Sequence, residues 1–289
     1  MRESAVSGLT GIGVLLAVFL LSAAPVQARP VEGEDWKSPA TGMEFVWIDA
    51  LRMWVGKYPV ANNEYRRFKP EHSSGDFMGH DLNGERQPVV FVNFNDAVEY
   101  ADWLTERDGG QLPGNLRYRL PTSKEWEIFA QCGDGREYPW GNEWPPRSGS
   151  AGNYHGAEGA GDWDNVPGYD DGFAVTCIVE RSWRNPWGLF GVGGNVWEAT
   201  TSDRDSMLFK CWRGGAWSSH NQNQLRSTFR LALHGGRNRG NSFGFRLVLA
   251  PAPVIERAPA PPPVEPEKGV TAEPEKGVRQ PVEDEAYQK

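Results

Sequence analysis

The apolar positions along the chain change period several times, and each change marks an element. Alternation over Gly42-Met-Glu-Phe-Val-Trp-Ile48 predicts a strand, and Met53-Trp-Val-Gly-Lys-Tyr58 predicts a second. Asn62 is placed to cap a short helix, Asn63 to Phe68, with Tyr65 and Phe68 on one face. Residues 70–86 are polar, with Gly and His, and read as loop, and Pro88-Val-Val-Phe-Val92 reads as a short apolar strand. Ala97, Tyr100, Ala101 and Leu104 fall on one stripe at helical spacing. They predict a helix from Asp96 to Arg107, capped by Asn95 and ended by Gly109-Gly110. Leu116-Arg-Tyr-Arg-Leu120 leads to Pro121-Thr-Ser-Lys-Glu125. Thr122 and Glu125 then form a capping box for a helix from Ser123 to Gln131 that turns Trp126, Phe129 and Ala130 inward.

From residue 132 to 195 there is no sustained period, only turn signals such as Tyr138-Pro-Trp-Gly-Asn142, Asp170-Asp-Gly-Phe173 and Asn185-Pro-Trp-Gly188. So long an irregular stretch needs something other than a ladder to tie it down, such as a bound ion. Val196-Trp-Glu198, Phe209 to Arg213 and Phe243 to Leu249 read as further strands. The pattern describes one α+β domain over residues 42–250, with few helices and much irregular chain, preceded by a linker at 29–41.

The two ends depart from this pattern. Arg2 precedes an apolar run from Gly8 to Leu21, and Val26-Gln27-Ala28 offers small residues for cleavage. Residues 1–28 thus read as a signal peptide, giving a secreted or periplasmic chain with no stable membrane span after cleavage. Pro251 to Lys289 is rich in Pro, Glu, Ala and Val, lacks Trp and Phe, and repeats Glu-Pro-Glu-Lys-Gly-Val. It is expected to be a disordered tail, either solubilising or acting as a spacer.

Charge adds a further constraint. The formal net charge is -8, which argues against a nucleic-acid partner. Yet from Ser206 to Ile255 there is no Asp or Glu, while Lys210, Arg213, Arg226, Arg230, Arg237, Arg239 and Arg246 all lie there. Such a segment either packs against the acidic remainder or presents donors to an anionic or polar ligand or a protein partner. The 13 Trp and 34 Gly suit a loop-rich fold with rigid aromatic anchors. Cys132, Cys177 and Cys211 allow one disulfide and leave one thiol over, and no Cys-x-x-Cys is present.

Several motifs occur in series: Gly56-Lys-Tyr-Pro-Val60, Arg119-Leu-Pro-Thr122 with Glu125-Trp-Glu127, Tyr138-Pro-Trp-Gly-Asn142, Asp171-Gly-Phe173, Gly194-Asn-Val-Trp-Glu198, Arg213-Gly-Gly215 and Gly244-Phe-Arg-Leu247. In this order they resemble the formylglycine-generating enzyme, or sulfatase-modifying factor, family over nearly all of residues 42–249. The resemblance implies a C-type-lectin-like variant of the formylglycine-generating enzyme fold, with little regular secondary structure. The family's catalysts oxidise a sulfatase cysteine with molecular oxygen, using two cysteines that hold copper(I) shortly after the Gly-Gly pair. Soft thiolates suit that ion. Here the matching positions are Ser219 and Gln224, and no Cys follows Cys211. Copper and formylglycine formation are therefore not expected.

The resemblance also implies structural calcium, held by Asn153, Tyr154, Asp171 and Phe173. A second site would use Gly194, Val196 and Glu198, although Gly191 replaces its upstream Asp or Asn. Oxygen ligands of this kind suit a hard cation. By position in the family's cleft, Trp197, Trp217, Ser219, His220, Arg226, Arg230 and Asn241 are ligand-binding candidates, since Trp, Arg and amides hold polar or anionic groups. The expected function is that of a secreted or periplasmic domain without the catalytic cysteine pair that binds a polar or anionic ligand or a protein partner; a periplasmic tailoring enzyme of the oxidase type is the alternative.

Overall fold

The computed structural model describes residues 29–201 and 209–252. The signal peptide expected at 1–28, and the tail expected at 251–289 apart from its first two residues, lie outside the described residues. Strands β1 (Trp36–Lys37), β2 (Glu44–Ile48) and β3 (Met53–Gly56) open the chain, followed by α1 (Asn62–Tyr65) and a small hairpin of β4 (Asp76–Phe77) and β5 (His80–Asp81). Helix α2 (Phe94–Asp108), β6 (Arg117–Arg119) and α3 (Ser123–Gln131) come next. After the long irregular segment come β7 (Trp197–Thr200), β8 (Phe209–Arg213), β9 (Leu231–His234), β10 (Phe243–Gly244) and β11 (Val248–Ala250). The expected α+β class, with few helices, is what is found.

Two sheets organise these pieces. One is five-stranded and antiparallel in the order β1-β2-β3-β11-β6. The other runs β10-β7-β8-β9, with β10 parallel to β7. The stretch expected to be one strand from Phe243 to Leu249 is thus two. β10 belongs to the second sheet and β11 to the first, and Phe245, Arg246 and Leu247 make the crossing, all three fully buried. No helix among the described residues is long and apolar enough to cross a membrane.

The helices follow their apolar stripes. Ala97, Tyr100, Ala101 and Leu104 are buried on α2, and Trp126, Phe129 and Ala130 on α3, where each large side chain contributes about 1.5–3 kcal/mol. Thr122 and Glu125 form the capping box expected of them: Thr122 Oγ1 accepts the Glu125 N–H at 3.1 Å, and Glu125 accepts the Thr122 N–H at 2.8 Å.

Other boundaries differ from expectation. Asn93, not Asn95, caps α2, because Asp96 is then correctly spaced to return the bond to the Asn93 N–H at 2.9 Å. Ala61 rather than Asn62 precedes α1, and Glu64 accepts the Ala61 N–H. Asn62 turns inward instead and donates to Leu82 O and Gly84 O, tethering the following loop. Pro88 to Val92 forms no strand. Its N–H groups go to Val60 O and Ser74 Oγ, and Phe91 adopts a left-handed φ of 57° that ends any extension. The three cysteines stand free.

One contact joins the sheets. The Arg246 guanidinium, fully buried, donates to both Glu198 oxygens, to Gly56 O at 2.7 Å and to Phe190 O at 2.5 Å. Trp126 Nε1 donates to Glu198 Oε2 at 2.7 Å from α3. Truncating one partner of such a pair strands the other charge in a dry interior. A Glu198→Ala substitution is expected to destabilise the domain by about 3–5 kcal/mol, read as a lower urea midpoint.

Candidate functional site

The segment after β8 is shaped by its glycines. Gly214 and Gly215 adopt φ of 95° and 77°, and a Cβ on Gly215 would lie 2.7 Å from Leu225 Cδ2. The chain then closes a turn in which the Ser219 N–H donates to Ala216 O at 2.9 Å and Ser219 Oγ accepts the Ala216 N–H at 3.0 Å. The Ser219 hydroxyl is therefore part of the turn itself. Trp217 is buried, and its Nε1 donates to Asn241 O at 3.1 Å.

Around this turn the structure assembles residues far apart in sequence. The His155 N–H donates to Ser219 O at 3.1 Å. The His155 ring stacks on Trp163 at 4.8 Å and faces His220 at 6.5 Å. Phe77, Trp163 and Trp217 form a three-ring cluster with centroids 5.1–6.3 Å apart. Trp163 is 38% exposed and is flanked by the exposed Asp162 and Asp164. The Nδ1 atoms of both His155 and His220 are buried without a partner. Burial, with the His220 ring beside it, holds the His155 pKa below the usual imidazole value and favours the neutral ring.

Sequence reasoning thus placed Trp217, Ser219, His220 and Asn241 in one region, but missed His155, Trp163 and Phe77. A Trp between two Asp within an irregular segment was the available signal. The remaining candidates point elsewhere. Trp197 packs on Phe229 at 6.0 Å within the core. Arg226 pairs with Glu137 at 2.5 Å, and Arg230 lies 3.5 Å from Glu127. Arg213, fully buried, bonds Glu127 and three backbone carbonyls, and Arg239 bonds Asp96. Gln224 is half-buried, and its N–H closes a turn onto Asn221 O.

No cysteine approaches the turn's role. Cys211 Sγ lies 3.8 Å from Ser123 Oγ, on β8. Burial pushes the Cys177 thiol up to about 12, and burial also raises that of Cys132. With a hydroxyl and an amide at 219 and 224, the donor set does not fit copper(I).

The oxygen sites behave differently from each other. Glu198 is saturated by Arg246 and Trp126, so its charge is already neutralised and the Gly194–Val196–Glu198 set does not fit a cation. At the other set, Asn153 Oδ1 is buried with no partner, and no backbone N–H among the described residues donates to Tyr154 O or Phe173 O. Asp171 accepts from the Tyr154 and Phe173 N–H groups at 2.8 and 3.0 Å. Burial pushes its carboxyl up to about 8; these N–H groups oppose the rise, and the neighbouring Glu158 adds to it. Oxygens short of donors around a desolvated carboxylate fit a hard cation.

The profile described as "Sulfatase-modifying factor enzyme 1-like domain" matches residues 26–251. The chain belongs to this family. The formylglycine-generating enzyme of Thermomonospora curvata is 40% identical over 116 residues, covering 38% of this chain and 32% of that protein. The inactive C-alpha-formylglycine-generating enzyme 2 of Bos taurus is 31% identical over 169 residues, 55% of this chain and 49% of that one. The matched segments span 28–38% of the length of three formylglycine-generating enzymes. Among solved structures, PvdO from Pseudomonas aeruginosa shares the fold, with a TM-score of 0.56 at 20% identity, covering 76% of this chain and 99% of that one.

The Gly214-Gly215 pair leaves no room for a side chain. A Gly215→Ala substitution is expected to cost about 1–3 kcal/mol, because it combines a left-handed φ with a clash against Leu225. Thermal unfolding followed by circular dichroism checks this.

Proposed function

We propose that this chain is a secreted or periplasmic binding member of the sulfatase-modifying factor family, and that the surface around Ser219 holds a ligand without the copper oxidation. The observation that carries the reading is the fate of position 219. Its hydroxyl closes the Ala216–Ser219 turn, and position 224 offers an amide, so the thiolates required for copper(I) are not supplied. A relative 31% identical bears the name of an inactive formylglycine-generating enzyme, which supports persistence of this scaffold without that activity.

The ligand is read as polar and uncharged or cationic. Arg213, Arg226, Arg239 and Arg246 are engaged by Glu127, Glu137, Asp96 and Glu198, so an anion would compete with carboxylates already in place. What remains at the surface is the face of Trp163, beside His155 and between two exposed aspartates. An aromatic face with nearby negative charge favours stacking and cation–π contact.

A calcium ion at Asn153, Tyr154, Asp171 and Phe173 belongs to the same reading. When bound it supplies charge neutralisation and a cross-link for the long irregular segment. That segment carries His155 and Trp163, so the cross-link would hold the surface in shape.

Incubating the full chain with copper(I), oxygen and a sulfatase-derived cysteine peptide is expected to give no aldehyde by mass spectrometry. Aldehyde formation would overturn the reading.

A further inference from the structure

The turn from Gly156 to Gly159 carries a second carboxylate to Asp171. The Gly159 N–H donates to Gly156 O at 3.2 Å, and the Ala157 N–H donates to Tyr169 O at 3.0 Å, so the turn is fixed to the chain just before Asp171. At its corner, Glu158 Oε1 accepts the Asp171 N–H at 3.2 Å, which brings its carboxylate beside Asp171. Glu158 Oε2 is buried and has no partner. Asn153 Oδ1, on a residue 1% exposed, has none either, while Asn153 Nδ2 is satisfied by Val175 O at 2.8 Å and Asn195 Oδ1 at 3.2 Å.

Two neighbouring carboxylates repel, and Glu158 Oε2, Asn153 Oδ1 and the carbonyls of Tyr154 and Phe173 have no hydrogen-bond donor among the described residues. A divalent cation is an electron-pair acceptor for oxygens of this kind and removes the repulsion.

We propose that Glu158 is a further ligand of this site, so that the chain holds its divalent cation with two carboxylates rather than with Asp171 alone. The inference rests on the calcium reading given above. Gly156 is part of the design. A Cβ there would lie 2.6 and 2.8 Å from the two Glu158 oxygens and 2.5 Å from Tyr169 O, so only glycine leaves the carboxylate its place. A second anionic ligand raises affinity for a hard divalent cation. It also couples cation binding to the turn that leads into Trp163.

The test is a titration of the full chain with calcium chloride by calorimetry, and with terbium read through emission sensitised by nearby Tyr and Trp. Wild type is expected to bind, and Glu158→Gln to bind roughly 10–100-fold more weakly, through loss of one ligand charge. The calcium-free Tm of that variant should equal or exceed wild type, because the carboxylate repulsion is gone; a merely structural Glu158 would lower it. Glu158→Asp, which keeps the charge on a shorter arm, should fall between the two. Equal calcium affinity in wild type and Glu158→Gln overturns the proposal and leaves the calcium reading standing. A wild-type chain that binds no calcium overturns both.

Discussion

The fold depends on one buried charge pair. Arg246 sits where the chain leaves one sheet and enters the other, and it holds both at once. Through Gly56 O it grips the end of β3, the central strand of the five-stranded sheet, through Glu198 the four-stranded sheet, and through Phe190 O the irregular segment. Trp126 adds α3 to the same carboxylate. Two short strands flanking a three-residue crossing would be weak connectors by themselves. A guanidinium with five donors in a fixed fork can satisfy three residues from three parts of the chain, which an ammonium on a flexible stem could not do in the same geometry. Its charge is tolerable in a dry interior only because Glu198 is equally buried. The same saturation removes Glu198 from the oxygens that a cation could use.

This principle extends to the whole cationic segment. Seven basic residues without a single acid left two outcomes open, packing against the acidic remainder or presenting donors to an anionic or polar ligand. The structure turns four of its arginines onto Asp96, Glu127, Glu137 and Glu198, all of which lie earlier in the chain. Charge segregation along the sequence is thus charge pairing across the fold. The C-terminal third supplies donors, the N-terminal two-thirds supply acceptors, and the two parts need one another. A ligand surface built here must draw on what is left after that pairing, namely aromatic faces and histidines.

Sequence reading succeeded where local geometry decides the outcome. The Thr122–Glu125 box and the α2 stripe were legible because capping spacing and helical period are properties of a few adjacent residues. It failed where partners are distant. Asn93 and Asn95 are equally good caps until the burial of Phe94 and the reply of Asp96 choose between them. Pro88 to Val92 has a strand's composition, but its N–H groups find Val60 and Ser74 instead of a ladder. β9, Leu231-Ala-Leu-His234, lacks β-branched residues and is a strand because β8 pairs with it. For the site, Ser219 and Trp217 were visible from the Gly-Gly pair, whereas His155, Trp163 and Phe77 reach the same place from separate loops. No local pattern encodes that meeting.

The turn at 216–219 owes its shape to the backbone rather than to the side chain at 219. The glycines impose the backbone path, since Gly214 and Gly215 occupy left-handed φ with neighbours too close for a Cβ. That path brings residue 219 back toward the Ala216 N–H, whatever its side chain. A serine there gains a hydrogen bond of about 1 kcal/mol that a thiol forms only weakly. Ser219 therefore stabilises the turn and offers a hydroxyl where a soft ligand would need a thiolate. Shape and donor chemistry are carried by different residues: glycines and a buried ion pair fix the backbone path, while the side chains at 219 and 224 set what that path presents.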